Sequence, residues 1–283
     1  MSEGLSPTGG VWLQTNRAKG GWIFDDVVPN YTIAFVSVRK TGTPDDEICI
    51  RGPFKSFESF KEGVQHQPGI ISTDKLKRWS EDFSFPQIPS SHKEETIALF
   101  SKLNKPPKLF EENNEFYFLP QFEFHSTSGK KYMIFPDEGV PSKSNKPNSA
   151  NIPIYKGASF NLWDPDTDSY YAWAEESIIE DHLFEKRLNQ SEHKKSAFYG
   201  LDEKIISNRS TLTYKNPRII FRKTARGTDQ RSFICALMPP NTCAQDGAPV
   251  LVRVKGEELH EAYLLGVLSS TILDWQARRW VEM

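Results

Sequence analysis

Short apolar runs, separated by polar turns that contain proline or glycine, make up much of the chain. Runs rich in β-branched and aromatic residues favour strands. Ile33–Val38 is apolar at five of its six positions, so we expect a buried strand there. Phe116–Phe124 alternates in the manner of a strand, and Lys131–Phe135 is its predicted partner.

Apolar residues at helical spacing occur in a second group of segments. Several of these segments begin at a serine, whose side chain can cap free backbone amides. The predicted helices lie in Ser56–Gly63, Ser72–Arg78, Ser90–Leu103, Glu175–Lys195 and Glu258–Trp280. A break near Ser269–Thr271 divides the last segment into two helices. The mixture of strands and helices predicts an α+β fold.

The stretch Asn216–Pro240 predicts a β-hairpin. Its two apolar runs, Ile219–Phe221 and Phe233–Met238, flank a polar turn, and two prolines end the second run because proline donates no ladder hydrogen bond. The charged and amide residues of the turn are Arg222, Lys223, Arg226, Asp229, Gln230 and Arg231. Guanidinium groups framed by two strands favour contact with phosphates and with guanine edges.

The formal net charge of -2 hides a local excess of positive charge. Between Lys204 and Arg231 the only acid is Asp229. The cations of this stretch are Lys204, Arg209, Lys215, Arg218, Arg222, Lys223, Arg226 and Arg231. A solvated charged face is the ordinary explanation of such a run. The arginine bias and the apolar strands between the cations favour an anion-binding face instead.

Other chemistry has little support in the sequence. Cys49, Cys235 and Cys243 are too few and too scattered for a disulfide framework or a zinc site, and the histidines lack paired ligand spacing. Asp164–Asp168 carries alternate carboxylates, but no glycine follows at the sixth position of a calcium loop, so we expect a solvated turn. We assign no catalytic or metal-binding residue. The sequence has no membrane-spanning run and no signal peptide, which predicts a soluble, cytoplasmic protein.

The hairpin stretch also resembles a known family. Pro217-Arg218, Arg222, Thr228-Asp229-Gln230-Arg231 and Met238-Pro239-Pro240 are similar to the target-recognition region of adenine-specific DNA methyltransferases. The most similar members are type II restriction-modification enzymes that fuse a methylase domain to a recognition domain. Gln230 stands where the family has a glutamate, so a role for that carboxylate does not carry over.

The resemblance extends to other parts of the chain. Phe24–Val36 is similar to the last strands of the methylase domain, and Ile152–Gly157 is similar to the entry of the recognition domain. Leu264–Arg279 is similar to the helices that close that domain. The resemblance therefore implies two domains. Residues 1–105 would be a small remnant of the methylase α/β domain with connecting helices, and residues 106–283 would be the target-recognition domain.

The catalytic motifs of the family are absent. The Asn/Asp-Pro-Pro-aromatic tetrapeptide that grips the flipped adenine does not occur, nor does the cofactor loop. We therefore expect this chain to bind no cofactor by itself and not to be catalytic alone. The resemblance implies that S-adenosylmethionine and the chemistry belong to a methylase or nuclease domain or subunit, in cis or in trans. The resemblance also implies that the chain is truncated at both ends relative to the full enzyme.

Within the family context, the predicted partner is double-stranded DNA. Arg222, Arg226 and Arg231 are the candidates for reading bases, and Lys223 and Thr228 suit phosphate contacts. The remaining candidates are Arg218, Gln230, Tyr155 and Lys156. Arg222 and Arg231 could instead pair with acids and brace the hairpin, and Tyr155 could belong to the core. Trp163 and Trp173 are better explained as core aromatics than as stacking platforms.

Three functions remain open from the sequence. The first is sequence-specific duplex recognition for an adenine-N6 methyltransferase or restriction-modification system in phage defence. The second is an inactive gene fragment, and the third is a protein–protein adaptor that uses the aromatic surface Trp163–Trp173. Salt separates the first from the third, because binding through phosphates weakens steeply as ionic strength rises.

Overall fold

The computed structural model describes residues 6–14, 32–39, 47–54, 56–80, 84–89, 92–104, 114–225 and 229–280. The chain divides into two compact units. One unit comprises Met1–Pro106, Arg226–Ser232 and Trp275–Met283, and the other comprises Pro107–Ala225 and Phe233–Asp274. The mixed sheets and helices confirm the α+β class. The predicted boundary between residues 105 and 106, and the methylase origin of the first part, stay predictions.

The first unit is built on a four-stranded sheet in the order β2-β1-β3-β4. Its strands are β1 (Ser6–Gln14), β2 (Thr32–Arg39), β3 (Glu47–Phe54) and β4 (Gly69–Ser72). Strand β1 runs antiparallel to β2 and parallel to β3, and β4 returns antiparallel to β3. Because β2 lies at the sheet edge, Phe35 and Val36 are exposed, so the expectation of a fully buried strand at Ile33–Val38 was wrong.

Three helices accompany this sheet: α1 (Phe57–Gly63), α2 (Thr73–Trp79) and α3 (Lys93–Leu103). The Ser56 hydroxyl accepts from the Ser59 amide at 3.1 Å, and the Ser72 hydroxyl accepts from the Lys75 amide at 3.3 Å. The serine starts of α1 and α2 are therefore confirmed. Helix α3 begins later than predicted, after His92 in a left-handed conformation, while Ser90 lies outside the described residues.

The second unit contains a four-stranded sheet in the order β5-β11-β8-β9 and a three-stranded sheet in the order β10-β6-β7. The strands are β5 (Tyr117–Gln121), β6 (Asn151–Tyr155), β7 (Ala172–Glu175), β8 (Arg218–Phe221), β9 (Cys235–Met238), β10 (Cys243–Ala244) and β11 (Val250–Lys255). Antiparallel pairing of β8 with β9, from Arg218 opposite Met238 to Phe221 opposite Cys235, confirms the hairpin.

The predicted pairing of Phe116–Phe124 with Lys131–Phe135 was wrong. Strand β5 pairs with β11, more than a hundred residues later in the chain, and Lys130–Tyr132 is a short 3-10 helix. Local alternation cannot choose between two apolar partners, because both offer the same period. The remaining 3-10 helices are Lys143–Asn145, Arg209–Thr211 and Thr213–Lys215.

The later helices follow the sequence pattern closely, apart from the short helix at Glu203–Ile206, which was not predicted. They are α4 (Glu176–Ser191), α5 (Glu203–Ile206), α6 (Glu258–Leu268) and α7 (Thr271–Ala277). Ser269 ends α6, which confirms the predicted break. The aromatic core beside β6 contains Tyr155, Phe160, Tyr170 and Trp173. Over the described part of the chain, no helix is both long and apolar enough to cross a membrane.

Candidate nucleic-acid interface

The two ends of β8 place two arginines in different environments. Arg218, at the first position, is only 3% exposed and forms a two-armed ion pair with Glu123. Its Nε donates to Glu123 Oε1 at 2.9 Å, and its Nη2 donates to Oε2 at 2.7 Å. The Nη2 group also donates to the Thr242 carbonyl at 2.6 Å. The guanidinium of Arg218 thus points into the protein, and we do not place it in the DNA interface.

Glu123 is the centre of this buried network. Besides Arg218, it accepts the Ala244 amide at 2.9 Å and the Thr213 hydroxyl at 3.2 Å. A carboxylate in low dielectric needs such donors, because an uncompensated buried charge is very costly. The ion pair therefore ties β8, β10 and the segment after β5 together, and its role is structural.

Arg222 immediately follows the other end of β8 and is half-buried. Its amide donates to the Ile234 carbonyl at 2.9 Å, so the hairpin ladder continues to this residue. The Nη2 group donates to the carbonyl of Phe160 at 2.8 Å, and Cζ lies 5.8 Å from the centroid of the Phe160 ring. Since Phe160 is fully buried, the Arg222 head is fixed against a rigid part of the core.

Lys223 is next to Arg222 in the chain, and the backbone beside Lys156 packs on Arg222. Lys223 is exposed, its amide donates to the Gly247 carbonyl at 3.1 Å, and its Nζ lies 5.1 Å from the centroid of the Phe122 ring. The backbone next to Lys156 packs on Arg222, because a Cβ atom placed on Gly157 would lie 3.6 Å from Arg222 Cγ. We call Phe122, Lys156, Arg222 and Lys223 the Arg222 surface. This surface combines cations with an exposed ring, as nucleic-acid interfaces do.

A tight turn projects Trp163 next to the segment that anchors Arg222. The amides and carbonyls of Asn161 and Asp164 exchange hydrogen bonds of 2.8 and 3.0 Å across the turn. Trp163 has a positive φ of 63° and is 69% exposed. The expectation that Trp163 is a core aromatic was wrong, whereas Trp173 is buried as expected.

The acidic loop after this turn is held by Lys143. The Lys143 Nζ lies 2.8 Å from Asp166 Oδ2, and the Lys143 amide donates to Asp168 Oδ1 at 2.6 Å. The Tyr170 hydroxyl donates to both Asp166 oxygens, at 3.0 and 3.1 Å. Burial by itself would raise the pKa of Asp166, but the hydrogen bonds from Lys143, the Asp168 amide and Tyr170 outweigh it, and the pKa is lowered. Asp166 therefore braces the loop as a carboxylate.

Tyr155 does not reach the surface. It is fully buried and stacks on Tyr170 with ring centroids 5.4 Å apart. Burial, and then the charge of Asp166, raise the pKa of the Tyr155 hydroxyl. Tyr155 thus belongs to the core, which was the alternative to a contact with DNA. This side chain could reach DNA only by leaving its buried position.

The other residues predicted to contact DNA lie in the first compact unit or outside the described residues. Gln230 is exposed and Arg231 is half-buried, and both belong to the first compact unit. There the Nη2 group of Arg278 donates to the carbonyls of Asp229 at 3.0 Å and Gln230 at 3.1 Å. Arg226 and Thr228 lie outside the described residues. Of the sequence-predicted residues, the structure therefore brings together Lys156, Arg222 and Lys223.

Sequence reasoning missed two features of this region. Phe122 was not considered for a binding surface, and Trp163 was placed at the surface only in the adaptor alternative and otherwise assigned to the core, although both are exposed. The stretch Asn161-Leu162-Trp163-Asp164-Pro165 carried a usable signal, because asparagine and Asp-Pro favour turns, and a two-residue turn exposes its central side chains.

No protein-family model matches the chain, and no curated protein matches it. Among residues whose placement is described, no three His, Cys, Asp or Glu side chains are close enough together to hold a metal ion.

Proposed function

We propose that this chain recognises duplex DNA in a sequence-specific manner and serves an adenine-N6 DNA methyltransferase or restriction-modification system. The observation that carries the proposal is the Arg222 surface. There a guanidinium bound to the Phe160 carbonyl lies at the end of β8, with Lys223 next in the chain and the backbone at Gly157, the neighbour of Lys156, packed against it. The resemblance of the hairpin sequence to target-recognition regions supports the same function.

The physical case rests on shape and charge. A two-stranded ribbon fits the major groove of B-DNA, where an arginine can donate two hydrogen bonds to guanine O6 and N7. One Nη group of Arg222 is held by a carbonyl, which reduces the conformational entropy lost when the side chain binds. Lysines on either side can contact phosphates, which fix the register without reading sequence.

The proposal separates recognition from chemistry. The methyl donor would be S-adenosylmethionine, bound by a methylase domain in cis or a subunit in trans, because the motifs that grip the flipped base are missing from this sequence. Such a system acts on DNA in the cytoplasm, and this chain would supply only its specificity. No residue of the chain is given a catalytic role.

The test is selection of bound duplexes from a randomised pool by the purified full chain, at low salt and at about 0.15 M ionic strength. We expect enrichment of one motif and a steep loss of binding as salt rises. Arg222→Ala and Arg226→Ala should each relax one position of the motif. Arg78→Ala, at an exposed arginine of α2, is the matched control.

A different result would overturn the proposal. Absence of binding, or equal binding to every sequence with no change in either variant, excludes autonomous sequence recognition. An inactive fragment would then be the better description.

One observation favours a protein–protein adaptor as the second candidate. Helix α6 exposes Leu259 (75%), Tyr263 (63%) and Val267 (37%) at successive four-residue steps, which form an apolar stripe on one face. A contact through this stripe would keep its strength as salt rises, whereas DNA binding would not. Tyr263→Ser should weaken protein association and leave DNA enrichment unchanged if both surfaces are used.

A further inference from the structure

A cleft in the first compact unit has no part in the proposed DNA recognition. Its volume is about 470 Å³, and its walls come from the end of β3, from α1 with the turn that follows it, and from the start of α3. That volume falls within the range of small-molecule sites, about 300–1,000 Å³. The cleft belongs to a different compact unit from the Arg222 surface.

Part of the cleft lining is apolar and closely packed. Phe54, the last residue of β3, is buried, and its ring meets the edge of Phe60 with centroids 5.7 Å apart. A Cβ atom placed on Gly63 would lie 2.0 Å from Phe54 Cε1, so a larger residue at the end of α1 would displace the ring. Pro53 extends the apolar wall. This wall can receive the apolar part of a ligand.

Two cationic side chains that line the cleft converge on the turn after α1. The Nη1 group of Arg51 donates to the carbonyl of Val64 at 3.1 Å and also to the carbonyl of His66. The Nζ of Lys93 donates to the carbonyl of Gln67. Because His66 and Gln67 are adjacent, the two cationic heads are held at carbonyls only one residue apart.

No carboxylate of the described residues pairs with either cation. The contacts of Arg51 and Lys93 within that part of the chain are the carbonyl hydrogen bonds above, and Glu62, the acid that lines the cleft, bonds to neither. Two positive charges held close together repel each other. The Nε and Nη2 groups of Arg51 keep their donors, so an anion that meets both cations would relieve the repulsion.

We propose that this cleft binds a small molecule that carries a phosphate group on an apolar or aromatic body. A phosphate monoester has a charge of about −1.5 to −2 at neutral pH and three acceptor oxygens, so it can meet Arg51 and Lys93 together. A carboxylate has one charge to share between them. The body of the ligand would lie against Phe54 and Pro53. The inference goes beyond the proposed function, because it assigns a ligand to the first unit alone.

The experiment is calorimetric titration of the purified full chain with phenyl phosphate, at an ionic strength held constant with sodium chloride. We expect saturable binding at one site, tighter than for inorganic phosphate, which lacks the ring, and tighter than for benzoate, which has one charge. Arg51→Gln should weaken binding about 10-fold or more, and Lys93→Gln about 5-fold or more. Arg78→Gln and Lys77→Gln, at exposed positions of α2, are the matched controls.

A stability measurement separates loss of the site from loss of the fold. Arg51→Gln gives up two carbonyl contacts and can unfold for that reason, whereas Lys93→Gln gives up one. Phenyl phosphate should raise the melting temperature of the wild type and of both controls, because it binds the folded state. The same concentration should raise that of Lys93→Gln much less.

The outcomes distinguish this inference from the proposed function. If phenyl phosphate does not bind saturably, or if Lys93→Gln binds it as the wild type does, the site is wrong. Benzoate binding as tightly as phenyl phosphate would overturn the phosphate class. If no small anion binds but Lys93→Gln weakens duplex binding, the cleft contacts the DNA backbone, and the small-molecule site is likewise wrong. If phenyl phosphate binds as expected while no duplex is enriched, this inference stands and the proposed function fails.

Discussion

Arg218 and Arg222 are four residues apart, at the two ends of the same strand, yet their environments differ completely. Arg218 is buried against a carboxylate that accepts both arms of its guanidinium. Arg222 is half-buried, and its Nη2 group donates to the backbone carbonyl of Phe160. The first arginine holds the fold together, and the second is the residue that we propose to meet DNA.

The difference shows that the number of arginines in a hairpin says little about its binding capacity. A guanidinium that donates both arms to a buried carboxylate is committed to that ion pair, whereas a hydrogen bond to a backbone carbonyl does not by itself neutralise a guanidinium. The partner of each arginine therefore decides its role. The following changes test this contrast, beginning with the largest expected effect.

Replacing Arg218 with alanine should lower the free energy of unfolding by about 3–5 kcal/mol, because Glu123 would remain buried without its partner. Urea denaturation of the purified chain measures this loss. The double variant Arg218→Met with Glu123→Leu should recover much of it, since no unpaired charge is left. Equal stability of Arg218→Ala and the wild type would contradict a structural role.

Replacing Arg222 with alanine should cost about 1–3 kcal/mol of discrimination at one base pair, measured as the ratio of dissociation constants for the selected duplex and its single-pair variants. Stability should fall by only about 1 kcal/mol, for one carbonyl hydrogen bond. Arg222→Lys should keep the charge but not the two-armed contact. Unchanged discrimination in both variants would remove Arg222 from the interface.

Replacing Asp166 with asparagine tests the ion pair between Lys143 and Asp166, which is more exposed than the pair between Arg218 and Glu123. The pKa of Asp166 is lowered in the folded state, so its contribution is fully present above the ordinary aspartate pKa of about 3.9 and disappears as pH falls through the lower folded value. We expect the free energy of unfolding of the wild type to exceed that of the variant by about 1 kcal/mol at neutral pH. Urea titrations at several pH values should show this advantage shrinking below about pH 4.

Asp137→Asn, at an exposed loop acid, serves as the control for that titration. If the stability advantage of the wild type over Asp166→Asn grew as pH fell, Lys143 and Tyr170 would not be stabilising the carboxylate.

Replacing Lys223 with alanine should have the smallest effect. It should weaken binding to every duplex alike and reduce the slope of log affinity against log salt by about 1, as expected for one phosphate contact. Lys195→Ala, at an exposed lysine after α4, should leave the slope unchanged. A sequence-dependent effect of Lys223→Ala would show instead that this lysine reads a base.

Local patterns along the chain predicted much of the secondary structure. Serine caps and apolar spacing located α1 and α2, and the serine pair divided α6 from α7. The two apolar runs around the arginine-rich turn predicted β8 and β9 as partners. These features depend on neighbouring residues, so the information for them is contained in short stretches of sequence.

What the sequence could not decide were contacts between distant segments. The partner of Arg218 is a glutamate 95 residues earlier, and the partner of β5 is β11 instead of the nearer Lys131–Phe135. The exposure of Trp163 and the burial of Tyr155 depend on which faces the sheets cover. Local sequence thus determined the hairpin and its charges. Only long-range packing decided which of those charges are neutralised inside and which remain at the surface, because burial and pairing are properties of the assembled fold.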